Sequence, residues 1–129
     1  MNPAFDPIEL PGLRVTVDRL VYRAMPVADK PHSFVYFITV HNQSDTPVTL
    51  LRRKWVVSHA DGRTEVVVGD GIVGQTPMIP PGKTFAYNSQ HLIPGPHATA
   101  TGAYLGADAG GRSIVVRIPV FRMLVPGGR

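Results

Sequence analysis

Cysteine is absent from all 129 residues. The fold therefore rests on no disulfide, and thiol catalysis and cysteine-ligated metals are excluded. Long apolar runs are missing too: no stretch approaches the ~18 residues that a membrane helix needs. No apolar stripe of helical period extends beyond two turns, so strands are expected in place of helices. The opening residues, MNPAFDPIELPG, are acidic and proline-rich, without the basic start and apolar run of a secretory leader. A soluble, cytoplasmic protein is the expectation, with no membrane insertion.

What is present describes a globular chain. Hydrophobic residues make up 43% and charged residues 17%. Glycine and proline number 13 each, about twice the usual proline share, which favours many turns. The length suggests one domain, residues 1–129, able to bury roughly two-thirds of the surface its unfolded form exposes. Prolines at positions 3, 7 and 11 mark residues 1–12 as a loose arm, and residues 125–129 read as a flexible tail. The net charge of +4 suits an anionic partner or an ordinary arginine-rich surface equally well.

Alternation supplies the strands. Leu13, Val15 and Val17 alternate with Arg14, Thr16 and Asp18, after which the apolar phase shifts to Leu20 and Tyr22, the mark of a bulge or a change of sheet. HSFVYFITVHN (32–42) is β-branched and aromatic on both faces and reads as a central strand. QSDTP (43–47) is a turn. Asp61-Gly62 between apolar runs signals a hairpin, since both residues tolerate positive φ. On the strand before it, Leu51, Trp55 and Val57 share a face with Arg53, opposite Leu50, Arg52, Lys54 and Val56, and Trp55 belongs in the core. IPPGK (79–83) is a further turn. Phe85, Tyr87 and Ser89 alternate in the next strand, and ADAGGR (107–112) joins the last two. Pro119 fits an edge or a bulge, where a missing donor is tolerated. Seven or eight short strands separated by turns argue for an antiparallel β-sandwich.

Within VVVGDGIVGQTPMIPPGKTF, Gly69, Gly71 and Gly74 stand at the spacing of a dinucleotide-binding fingerprint. That motif works only where a helix opens after the third glycine and receives the pyrophosphate at its N-terminus. Pro77, Pro80 and Pro81 forbid that helix, so a nicotinamide cofactor is rejected and no other cofactor is expected. The glycines then serve a tight loop between sheets. Alternatively, the loop's N–H groups form a nest for phosphate or another small anion, helped by Arg52, Arg53, Lys54 or Lys83. Asp70 inside the loop works against an anion.

LLRRKW (50–55), DGR (61–63), GDGIVGQTPMIPPGKTFAY (69–87), GAY (102–104) and IPVFRM (118–123) stand in the order seen in the ApaG family, which the chain resembles from about residue 14 to 124. The resemblance implies a fibronectin-type-III-like or immunoglobulin-like sandwich and a small cytoplasmic bacterial protein. It also implies a link to cobalt and magnesium resistance or efflux with no established activity. Similar domains appended to eukaryotic proteins look like protein-interaction modules. The chain departs from the family at Asn88 and Gln90, at Ala100 or Thr101, and at Lys54, where a histidine is usual.

Catalytic constellations are wanting. There is no Gly-x-Ser-x-Gly elbow. Only Glu9 and Glu65 among the nine acids are glutamates, and no two carboxylates are spaced to share a strand face for acid–base hydrolysis. The five histidines include no His-x-His pair. His91 and His97 bracket LIPGP and are the candidate metal ligands, against the plainer reading of solvated turn histidines. Arg52, Arg53 and Lys54 alternate faces, so nucleic acid is not the expected partner; Arg53, beside Trp55, suits stacking or a structural ion pair. The expectation is a non-catalytic all-β binding or regulatory module with a protein partner. A phosphate-containing small molecule is the alternative ligand, and open sheet edges permit a homo-oligomer.

Overall fold

The computed structural model describes residues 6–25 and 29–127. Strands β1 (Ile8–Glu9), β2 (Leu13–Ala24), β3 (His32–Asn42), β4 (Val48–His59), β5 (Thr64–Asp70), β6 (Met78–Ile79), β7 (Thr84–Ile93), β8 (His97–Asp108) and β9 (Ser113–Leu124) follow one another, with no helix among the described residues. They build two layers. One sheet runs β1-β9-β8-β4-β5, with β6 attached to β4; the other runs β2-β3-β7. Every pairing is antiparallel except the short β1 beside β9. The seven strands of seven residues or more thus form the all-β sandwich that the alternation predicts, of the immunoglobulin/fibronectin-III-like kind that the family resemblance implies.

Period-two patterning directs the core. From β3, Phe34, Tyr36, Ile38 and Val40 point inward; from the opposite sheet come Trp55, Val57, Ala98, Ala100, Tyr104, Ile114, Val116, Ile118 and Met123, all buried. β3 is central in its sheet, as its two apolar faces imply. The apolar phase shift in β2 is a bulge at Asp18, between Val17 and Arg19. Asp18 fills it by accepting hydrogen bonds from the hydroxyls of Thr16 (2.8 Å) and Thr39 (2.5 Å), which hold its carboxyl below the ordinary range. Pro119 falls in the irregularity between β8 and β9, where register moves from Ala100–Phe121 to Gly102–Ile118. The Asp61-Gly62 hairpin joins β4 and β5, with Gly62 at φ 90°. Asn42, fully buried, donates to the carbonyls of Thr46 and Ile79 and accepts from Ser44, so its amide ties the 43–47 turn to β6.

The structure differs from the sequence reading in three places. First, β4 does not alternate without interruption: a bulge between Leu50 and Arg52 buries Leu50 completely and leaves Leu51 42% exposed. Leu51 therefore does not share the face of Arg53, Trp55 and Val57. Second, the arm is not loose throughout. Residues 1–5 lie outside the described residues, but Ile8 and Glu9 pair with Ile114 and Val115, Glu9 meets Arg117 at 2.9 Å, and Leu10 packs on the core. Third, the tail begins docked: Val125 donates its N–H to the Pro96 carbonyl at 2.9 Å and packs against the core.

The bulge makes a direct prediction. Leu50→Ala costs about 2–5 kcal/mol, the usual range for a buried leucine, and Leu51→Ala costs within about 0.5 kcal/mol, as at an ordinary surface site. Urea denaturation of both variants measures this, and an inverted order would restore the unbulged register.

Candidate functional site

The two layers are asymmetric at their sides. β2 touches β9 directly, whereas β5 and β7, on the other side, make no comparable contact. On that more open side a cavity of about 250 Å3 is lined by Tyr36 of β3, Arg53 of β4, Tyr87 and Ser89 of β7, and Ile72, Val73 and Gly74 of the loop after β5. The glycine segment singled out by its spacing therefore forms one wall of a cavity between the sheets.

Beyond the β4 bulge, Arg53 lies on the same face as Trp55. Its guanidinium rests on Gly69, the residue opposite it on β5: a Cβ added to Gly69 would stand 2.7–2.8 Å from Nη2, Cζ and Nη1. Nη1 donates to the carbonyls of Asp70 (2.8 Å) and Gly71 (3.0 Å). No ion pair among the described residues includes Arg53; the Asp70 carboxylate faces Arg52 instead, at 3.4 Å in open solvent. Arg53 is thus neither stacked on an aromatic ring nor salt-bridged; it clamps backbone.

The loop closes on itself around this clamp. Gly71 donates its N–H to Leu51, the bulged residue of β4, at 2.7 Å, and Ile72 and Gln75 exchange two backbone hydrogen bonds at 2.7 and 3.0 Å. Val73 and Gly74 form the two-residue turn, with φ of 44° and 81°, the sign pattern of a type I′ hairpin turn. Ile72 is fully buried and pins the loop to the core. The chain after Gly74 stays extended into β6, so no helix N-terminus exists to hold a pyrophosphate. Each glycine has its own cause: room for a guanidinium at Gly69, positive φ at Gly71 and Gly74. The N–H groups of Gly71, Ile72 and Gln75 are spent within the loop and on β4, so they do not converge as a nest. Arg52 projects from the outer face. Lys83, in the turn before β7, offers its carbonyl to Asn42 and lines no part of the cavity. Of the basic residues proposed from sequence, Arg53 alone reaches the cavity wall.

Behind the cavity sits an aromatic cluster. Tyr36 packs on Trp55 (ring centroids 4.9 Å), His91 (4.8 Å), Tyr87 (6.2 Å) and Phe121 (6.0 Å), and His91 meets Trp55 edge-on at 4.6 Å. The Tyr87 and Tyr104 hydroxyls hydrogen-bond to each other. Burial raises all three phenols above the ordinary tyrosine range, so each hydroxyl keeps its proton at neutral pH. Burial also pushes the His91 imidazole down to about 4, partly offset by Glu65, and its Nε2 has no hydrogen-bond partner. His97 is exposed at the start of β8, and no group of three or more His, Asp or Glu able to hold a metal occurs among the described residues. His59 bonds to Glu65 across the β4–β5 hairpin at 3.1 Å. The sequence reading did not connect Tyr36, Tyr87 and Ser89 with Arg53, although alternation in β7 places Phe85, Tyr87 and Ser89 on one face.

Two outcomes follow from this geometry. Unfolded His91 takes up its proton near 6.5 and the folded residue near 4. Its stability contribution is therefore intact above about 6.5, declines as pH falls through that window, and is gone below about 4, a total of about 3 kcal/mol. In His91→Phe, which keeps a ring in the cluster, urea denaturation between pH 7.5 and 4 should show a shallower acid decline; an unchanged slope contradicts the burial. Val73, a β-branched residue at positive φ, is strained. Val73→Asn should raise stability by about 1 kcal/mol, and a lower denaturation midpoint would show that the turn is not as described.

Comparison with known proteins agrees with this architecture. A family model described as the ApaG domain matches residues 24–107. Protein ApaG of Anaeromyxobacter sp. (strain K) is 38% identical over 118 residues, which cover 90% of this chain and 92% of that protein. A structural-genomics target of solved structure superposes with a TM-score of 0.85 at 31% identity, covering 92% of this chain and 90% of that one. A Bordetella pertussis protein described as ApaA superposes with a TM-score of 0.74 at 29% identity, covering 93% and 98%. With the family's domain matched across its centre and a named relative aligned along nine-tenths of its length, this chain belongs to the ApaG family.

Proposed function

We propose that this protein is a non-catalytic binding module that takes an extended segment of a partner protein onto the free edge of β5. The observation that carries this reading is the edge itself. β5 ends its sheet and exposes three consecutive valines, Val66 at 56%, Val67 at 40% and Val68 at 52%. An uncovered, apolar edge strand is a template for strand pairing, which natural proteins ordinarily block with charge, proline or a bulge. Strand addition uses that edge: main-chain hydrogen bonds supply affinity, and side chains on either face supply specificity. Lys54 lies opposite Val68 and Arg52 opposite Asp70 on the neighbouring strand, so a partner segment with acidic residues is favoured.

Around the cavity, among the described residues, catalysis has no support: the Tyr87 and Tyr104 hydroxyls bond to each other and the His91 imidazole is packed among rings, an arrangement without the nucleophile–base pair that covalent catalysis uses. On this reading a connection to cobalt and magnesium resistance runs through the partner and needs no ion held by this chain. Among the described residues no helix is long and apolar enough to cross a membrane, and a cytoplasmic partner is proposed.

The test is a comparison of wild type with Val66→Lys/Val68→Lys, which charges the edge and leaves the core intact. Quantitative mass spectrometry of proteins captured from a lysate should show a defined set falling by about tenfold or more in the variant, at an unchanged melting temperature. Size-exclusion chromatography of the free chain separates a second copy of itself from a foreign partner. Identical capture by both proteins contradicts the proposal.

A further inference from the structure

We infer that the cavity under the glycine loop is a binding site for a small oxyanion, a phosphate or carboxylate group received by Arg53 together with the hydroxyls of Tyr36, Tyr87 and Ser89. It stands whether or not β5 accepts a partner strand.

The central observation is a cation without a counter-charge. Arg53 is half-buried between the sheets, and no carboxylate among the described residues pairs with it. Its two hydrogen bonds, both from Nη1, go to backbone carbonyls. Carbonyl dipoles satisfy N–H groups but do not neutralise a unit charge, and Nε and Nη2 remain without a protein partner among the described residues. Guanidinium groups match planar carboxylates and phosphates through such paired donors. A half-buried cation of this kind is costly unless something balances it.

The surroundings supply the rest of the site. Tyr36, Tyr87 and Ser89 line the same cavity as Arg53. Burial keeps the phenols protonated, so they add donors and no negative charge. Gly69 is necessary to the arrangement, since any side chain there would displace the guanidinium from its seat. Val73, at the cavity wall, holds a positive φ that a β-branched residue disfavours, and strain of this kind gathers at ligand clamps. The volume, about 250 Å3, lies below the ~300–1,000 Å3 typical of sites for larger organic ligands. It takes a phosphate or a short carboxylate. The principal donor for this oxyanion is a side chain of β4 in place of loop N–H groups.

Titration of the 15N-labelled full chain with sodium phosphate and, separately, sodium acetate tests the site, with sodium chloride at matched ionic strength as control. The Arg53 Nε–Hε signal and the Val73 and Gly74 amides should shift saturably with at least one of the two anions and not with chloride. Saturation by phosphate alone assigns a phosphate ligand, and saturation by acetate assigns a carboxylate. Arg53→Gln should weaken binding about tenfold or more, and Ser89→Ala about threefold at unchanged melting temperature. Should Arg53→Gln fail to fold, Ser89→Ala and Tyr36→Phe decide the matter. Absence of saturation by either anion at tens of millimolar, or unaltered binding in the variants that fold, overturns the inference.

Discussion

The guanidinium of Arg53, laid across Gly69 and bonded to the carbonyls of Asp70 and Gly71, is the contact on which the functional side of this molecule depends. It joins β4 to the loop leaving β5, and so fixes where the chain turns back toward β6. It requires a residue without a side chain at position 69. It holds a positive charge at the wall of the cavity that the glycine loop helps to line. The loop contributes its own closure, through the Ile72–Gln75 pair and the buried Ile72 side chain. Without the arginine, two carbonyls beside the cavity would lose their donor, at a cost of the order of 1–3 kcal/mol if they stay dry.

Much of the sandwich was legible because one periodicity governs it. Where apolar residues alternate cleanly, as in β3, or where a turn has a chemical signature, as at Asp61-Gly62, local sequence and tertiary burial agree. Pro119 and the phase shift after Val17 announced irregularities at the positions where the sheets have them. The run LLRRK misled because both of its phases are occupied: Leu50 and Leu51 compete for one inward place, and only the pairing of β4 with β8 decides between them. A bulge leaves no mark in residue type when apolar side chains stand on either side of it.

The site was half legible for a related reason. Three glycines at a familiar spacing, followed by prolines, sufficed to exclude the helix that a dinucleotide needs. Arg53 could be placed on the face of Trp55, and its charge there was the available signal of something unusual. Its acceptors are backbone carbonyls, which no residue identity encodes. Tyr36, Tyr87 and Ser89 come from the other sheet, and their approach to Arg53 is a consequence of layer packing that sequence spacing does not carry. The same holds for the hydroxyl contact between Tyr87 and Tyr104, which joins the two sheets. Membership of the ApaG family accounts for the architecture; the chemistry of the cavity comes from these particular side chains.

The central claim is that the glycine segment is shaped around a fixed arginine. The most direct measurement is the behaviour of the Arg53 guanidinium by NMR in the unliganded chain. Rotation about its Nε–Cζ bond should be slow, with resolved Nη signals, nuclear Overhauser contacts from its guanidinium protons to the Gly69 Hα atoms, and scalar couplings through the hydrogen bonds to the Asp70 and Gly71 carbonyls. A single averaged guanidinium signal, resembling that of a solvent-exposed arginine and without contacts to Gly69, would contradict the account.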